Sequence, residues 1–132
     1  MATQVDALMA RARRLLHDHR TRAREVGLQL DYSLSDLRRL LESNPLCHWC
    51  KLPVDFALTL DHLHPIARGG QHALHNLCVS CTRCNALRGM LTEAETLELL
   101  EFLGSLPPLA RQDLERRLLA GGQRYQRRRR HD

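Results

Sequence analysis

Apolar residues recur at helical spacing near the start of the chain. Val5, Leu8, Ala12, Leu15, Leu16, Ala23 and Val26 fall near one face, with Arg11, Arg13, Arg14, Arg20 and Arg24 largely elsewhere. This pattern predicts an amphipathic helix over 5–26, stopped at Gly27. A second helix is expected after Ser35 as N-cap, running through Leu37, Leu40 and Leu41 to Ser43-Asn44-Pro45. From residue 46 to 91 the helical period disappears. Residues 56–60 read as a short strand, Gly69-Gly70 as a turn and 77–79 as a second strand. Helical signals return at Thr92, which forms a capping box with Glu95 ahead of Leu97, Leu99, Leu100 and Leu103. Pro107-Pro108 breaks the chain, and a last helix over 109–119 is expected to end at Gly121-Gly122.

The chain thus divides into an N-terminal helical segment (1–45), a core (46–91), C-terminal helices (92–122) and a basic tail (123–132). The tail has no apolar face and is expected to be disordered. No internal repeat is present. The acidic helices of 92–120, with Glu93, Glu95, Glu98 and Glu101, are expected to pack on the first helices or on a second subunit.

With 132 residues, one domain of modest core is expected, and such a domain benefits from a staple. No apolar run is long enough for a membrane span, and the opening residues lack a signal-peptide pattern. An intracellular, cytoplasmic protein is expected. The net charge of +5 is a weak pointer to an anionic partner. Lys51 is the single lysine among 20 basic residues. Arginine suits bidentate phosphate contacts, although a GC-rich coding bias gives the same excess.

The cysteines change the picture. There are five, and four form the pairs Cys47-His48-Trp49-Cys50 and Cys81-Thr82-Arg83-Cys84. In a reducing compartment two such pairs predict metal rather than disulfides. Four thiolates complete a tetrahedron with no open position, so a structural Zn2+ is expected. A redox dithiol would need a βαβ context that neither pair has. Cys78 reads as a small apolar strand residue.

Between the pairs lie Leu60-Asp61-His62-Leu63-His64-Pro65, then Gly69-Gly70, then His75-Asn76-Leu77; Asn85 and Arg88 follow Cys84. Hydrolysing a phosphodiester needs a base near neutral pKa, which a histidine supplies, and a divalent ion on hard oxygen ligands, which Asp61 and Asn85 offer. Adjacent Asp61 and His62 on an extended strand would point to opposite faces.

The ordered set of motifs from Cys47 to Gly89 resembles the zinc-containing form of the HNH endonuclease family. The resemblance implies an α+β fold with a ββα-metal core stapled by the four-cysteine zinc site and flanked by N- and C-terminal helices. It implies a DNA endonuclease, a phosphodiester hydrolase, with His62 as general base and Asn76 bracing the loop that orients it. Asp61 and Asn85 would bind Mg2+ or Mn2+, with His64 as a possible auxiliary ligand. Asn85 stands where the family has a final histidine or asparagine; Arg88 matches its basic position and is expected to grip phosphate. Arg68, Arg83, Arg127, Arg128, Arg129 and Arg130 are further candidates for contacts to double-stranded DNA.

Plain structural readings stand beside these. Asp61 could cap a turn, His62 could be a supporting or exposed histidine, Asn85 could cap a helix, and Arg88 could be a solvated helix residue. His48, His72 and His75 read as surface residues. The alternative function is a non-catalytic, zinc-stabilised module that binds nucleic acid. A protein-interaction domain that uses the outer helices, by self-association or with a partner, is a third.

Overall fold

The computed structural model describes residues 3–55 and 57–131, with side chains described as far as residue 121. Helix α1 spans Gln4–Glu25. The Thr3 hydroxyl accepts from the Asp6 N–H, and the Asp6 carboxylate accepts from the Thr3 N–H. Helix α2, Leu34–Ser43, uses the same device two residues earlier than the sequence suggests: Ser33 is the N-cap, not Ser35. Asp36 lies three residues after Ser33 and closes the box with it.

Strand β1 is Thr59–His62, and β2 is Leu77–Ser80. β1 starts later than the expected 56–60 because Asp55 forms a turn, its carboxylate accepting from the Ala57 N–H and its carbonyl from the Leu58 N–H. Phe56 lies outside the described residues. The strands pair antiparallel, with Leu60 opposite Val79, Asp61 opposite Cys78 and His62 opposite Leu77. Directly opposed residues share a face and neighbours alternate. Leu60, His62, Leu77 and Val79 therefore face one way, and Asp61 and Cys78 the other.

A two-stranded sheet is marginal in water unless its faces are covered. On one side Leu60, Leu77 and Val79 join Ala12, Leu15 and Leu16 of α1 and Leu37 and Leu41 of α2 in a buried cluster. On the other, Cys78 packs with Cys47, Trp49 and Cys84. Helix α3, Thr82–Arg88, follows β2 directly and completes a ββα unit. The fold is α+β, with five α-helices around this small sheet among the described residues.

Helix α4, Glu93–Ser105, begins at the expected Thr92–Glu95 box. Helix α5, Pro108–His131, packs chiefly on α3 and α4 rather than on the first helices. Arg83 of α3 holds it by an ion pair with Glu115, which also bonds Arg111 within α5. The expected helix end at Gly121-Gly122 and the expected disordered tail over 123–132 fall at and beyond the limit of the residues whose side chains are described. The arginines Arg127, Arg128, Arg129 and Arg130 fall outside the residues whose side chains are described. No described helix is long and apolar enough to cross a membrane.

Candidate metal centre and histidine site

The Sγ atoms of Cys47, Cys50, Cys81 and Cys84 lie within 4.8 Å of one another. The first pair sits on a tight turn, in which Lys51 adopts a left-handed φ of 63° and donates its N–H to the Cys47 carbonyl. The second pair brackets the start of α3: Cys81 is its N-cap, and its sulfur accepts from the Cys84 N–H. The Cys47 sulfur accepts from the Cys81 N–H, tying the two pairs together. Burial opposes ionisation of Cys47, but amide donors from Cys50, Cys81 and Trp49 outweigh it and lower the thiol to about 7. Such a sulfur suits a metal ligand, because metals bind the thiolate. Cys78 stays apart, buried on β2, with its thiol pushed well up by burial.

The sheet separates Asp61 from His62. Asp61 faces α3, where the Arg88 Nη1 donates to its Oδ2 at 2.9 Å. Arg88 is 2% exposed. It donates in addition to the carbonyls of His62, Leu63 and Leu91 and to the Thr96 hydroxyl. Its guanidinium also lies over the Trp49 ring, 4.4 Å from the centroid. All five N–H groups of an arginine are thereby accounted for. The expectation that Arg88 grips phosphate is therefore corrected: the side chain points into the protein and joins β1, α3 and α4. Burial raises the Asp61 carboxyl above its ordinary value, and Arg88 offsets part of that rise.

His62 faces α1. Its ring stacks on His19, with centroids 5.5 Å apart and planes at 21°, while His72 meets it edge-on at 5.3 Å. The His19 Nδ1 is bonded to the Tyr32 hydroxyl at 2.6 Å. Burial first, then neighbouring histidines and Arg22, depress His62 to about 3. Burial depresses His19 to about 4, with Arg22 and His72 adding to it. The Nε2 of His62 and the Nδ1 of His72 are buried without a hydrogen-bond partner among the described residues. His72, expected as a surface residue, is half-buried, and the sequence assigns His19 no role. The available signal was a histidine at a core position of α1, between Leu15, Leu16 and Ala23.

Asn76 clamps the intervening loop. Its Oδ1 accepts from the His64 N–H, and its Nδ2 donates to the carbonyls of His64 and Gln71. Its own carbonyl accepts from the Leu63 N–H, next to His62. Gly70 is required here, because a Cβ would sit 1.9 Å from the His64 carbonyl oxygen. The exposed His64 ring is bonded to the Arg68 carbonyl at 2.9 Å, and Arg68 is ion-paired with Glu95. Arg83 is likewise paired, with Glu115. Asn85 lies one turn before Arg88 on α3, half-buried, with no side-chain hydrogen bond among the described residues. His48 is partly exposed, against Glu93 and the Trp49 ring.

A two-stranded antiparallel hairpin, a helix that follows it directly and four clustered cysteines able to hold a metal ion define a ββα unit. Residues 47–89 match the family model described as HNH endonuclease, and this segment is an HNH domain. It covers about a third of the chain. No curated protein matches the chain.

The buried neutral histidines set an acid limit on stability. Above the ordinary histidine pKa of 6.5 both folded and unfolded chains leave His19 neutral, so it makes no difference. Below it the unfolded chain binds a proton first, and stability falls until His19 itself titrates at about 4. The melting temperature of the wild type should therefore fall towards that of His19→Gln between these limits, in melts with zinc held constant. A gap that stays constant with pH would contradict a buried neutral His19.

Proposed function

We propose that the protein is a metal-dependent endonuclease that hydrolyses DNA phosphodiester bonds, with His62 as general base and a structural zinc on the four cysteines. The observation that carries this reading is the state of His62 within an HNH domain. It stands at the end of β1, and its Nε2 has no hydrogen-bond partner among the described residues, which leaves that nitrogen to accept a proton from an attacking water. An approaching phosphate favours the charged imidazolium and raises its basicity. The oxygen donors fit a hard divalent ion such as Mg2+ or Mn2+. Asp61 and Asn85 would hold the ion through side-chain oxygens, and His62, on the other face of β1, would reach the same phosphate from a different side. When bound, the ion neutralises charge on the phosphate and the leaving oxygen. A hydrogen-bonded partner behind a carboxylate ligand is a common way to orient it, and Arg88 fills that place.

Phosphate contacts fall to Arg13, Arg14, Arg20 and Arg24, which are exposed on α1 and make no ion pair among the described residues. The basic tail is a further source of such contacts.

One observation favours the non-catalytic alternative: Arg88 already neutralises Asp61. Incubating supercoiled plasmid with Mg2+, with Mn2+ or with EDTA decides between the two. Nicking is expected with either ion and none with EDTA. His62→Ala should keep zinc, fold and DNA affinity and lose cleavage by at least about 100-fold. Nicking at the wild-type rate by that variant removes the enzyme reading. Asn85→Ala should raise the Mg2+ concentration needed, and Asn85→His should shift preference towards transition ions. Identical metal dependence in wild type and both variants would show that Asn85 is not a ligand.

A further inference from the structure

We propose that His19 of α1, fixed by Tyr32, is a positioning residue for His62, which makes the N-terminal helix a working part of the site; the proposal rests on the nuclease reading above. His19 lies outside residues 47–89, so the match to the HNH family does not assign it a role. It occupies a position on α1 where an aliphatic side chain would pack, among Leu15, Leu16 and Ala23. Burying an imidazole there is costly unless its polar atoms are held. Tyr32 holds one of them, with its hydroxyl 2.6 Å from Nδ1. Tyr32 is itself 4% exposed, and burial pushes its hydroxyl up to about 12. The hydroxyl therefore keeps its proton, and it bonds Nδ1 as donor or as acceptor according to the His19 tautomer.

The geometry shows what the held ring does. The second side-chain torsion of histidine has a broad energy profile, so packing must set the orientation of the ring. His62 has two walls. His19 lies nearly parallel to it, at 21° and 5.5 Å, and His72 stands perpendicular, at 87° and 5.3 Å. A parallel wall and a perpendicular wall together fix both tilt and rotation. Packing alone does not explain the arrangement, because leucine would fill the position without a buried hydrogen bond to maintain. A base misplaced by about 1 Å costs on the order of 100-fold in rate, so a device that holds the ring has a kinetic value.

The test compares wild type, His19→Ala and His19→Phe as full-length, zinc-loaded chains. Melts and zinc content check that each variant folds. Phenylalanine keeps a flat ring against His62 and gives up the bond to Tyr32. Carbon relaxation of the His62 ring measures order without reference to activity. The ring should be rigid in wild type, mobile in His19→Ala and intermediate in His19→Phe, which keeps the parallel wall and loses its anchor on Tyr32. In plasmid nicking, His19→Ala should lower kcat by about 10- to 100-fold with DNA affinity within about twofold, and His19→Phe should recover only part of that loss. A His62 ring as rigid in His19→Ala as in wild type overturns the proposal, whatever the cleavage rates. So does a loss confined to DNA affinity. A wild type that does not cleave, with a rigid His62 that loosens in His19→Ala, overturns the nuclease reading and leaves the positioning contact standing.

Discussion

Cys47→Ser or Cys84→Ser is expected to abolish the folded core and not only the metal site. The four sulfurs are what join the turn at 47–50 to the start of α3, and Cys47, Trp49, Cys78 and Cys84 form the cluster behind the sheet. Structural zinc contributes roughly 10–16 kcal/mol of apparent binding free energy that is coupled to folding. A whole domain is stable by only about 5–15 kcal/mol. Losing a ligand therefore removes a free energy comparable to the entire margin. The measurements are zinc content and the near-ultraviolet signal of Trp49, the single tryptophan. The serine variants should lose both, and a chelator should do the same to the wild type. Cys78→Ala is the control, since Cys78 lies outside the cluster of ligands; it should retain zinc and melt cooperatively. A cooperative, native-like melt of Cys84→Ser without zinc would show that the apolar packing alone holds the core.

Arg88→Met is expected to destabilise the protein by about 3–5 kcal/mol, because it leaves Asp61 as a buried carboxylate without its counter-charge. The substitution also strands the carbonyls of His62, Leu63 and Leu91, which the guanidinium satisfies. Lysine cannot reproduce five donors in a planar fork, so Arg88→Lys should recover only part of the loss. Adding Asp61→Asn to Arg88→Met should restore some stability, because the unpaired charge is removed. Urea titrations of the single and double variants give the coupling energy directly. A residue that gripped phosphate would behave otherwise: its loss would weaken DNA binding and leave the melt unchanged. That result would return Arg88 to the phosphate contacts, against its 2% exposure.

The position of Arg88 also bears on how the site works. Arg88 donates to Asp61 on one face of β1 and to the His62 carbonyl on the same strand. The proposed ligand and the proposed base are thus anchored by one side chain, although their own side chains point to opposite faces. Damage at Arg88 should therefore reduce cleavage through both residues, beyond what its effect on stability explains.

The sequence by itself determined the features that depend on residues a few positions apart. Both cysteine pairs, the Thr92–Glu95 capping box, the Gly69-Gly70 turn and the α1 stripe are local, because knuckles, caps and helical faces are set by spacing along one element. The alternation along β1 likewise foretold that Asp61 and His62 would part company. Even here the neighbourhood moved boundaries: Asp36 shifted a cap to Ser33, and the Asp55 turn delayed β1. Only the tertiary structure decided which side chains are used up by the protein itself. Arg68, Arg83 and Arg88 look alike in sequence. Their partners Glu95, Glu115 and Asp61 lie 27, 32 and 27 residues away, and only the packing of α4, α5 and β1 brings them within reach. The histidine site has the same character. His19, His62 and His72 belong to a helix, a strand and a loop, and no periodicity within any one of them encodes that their rings will meet.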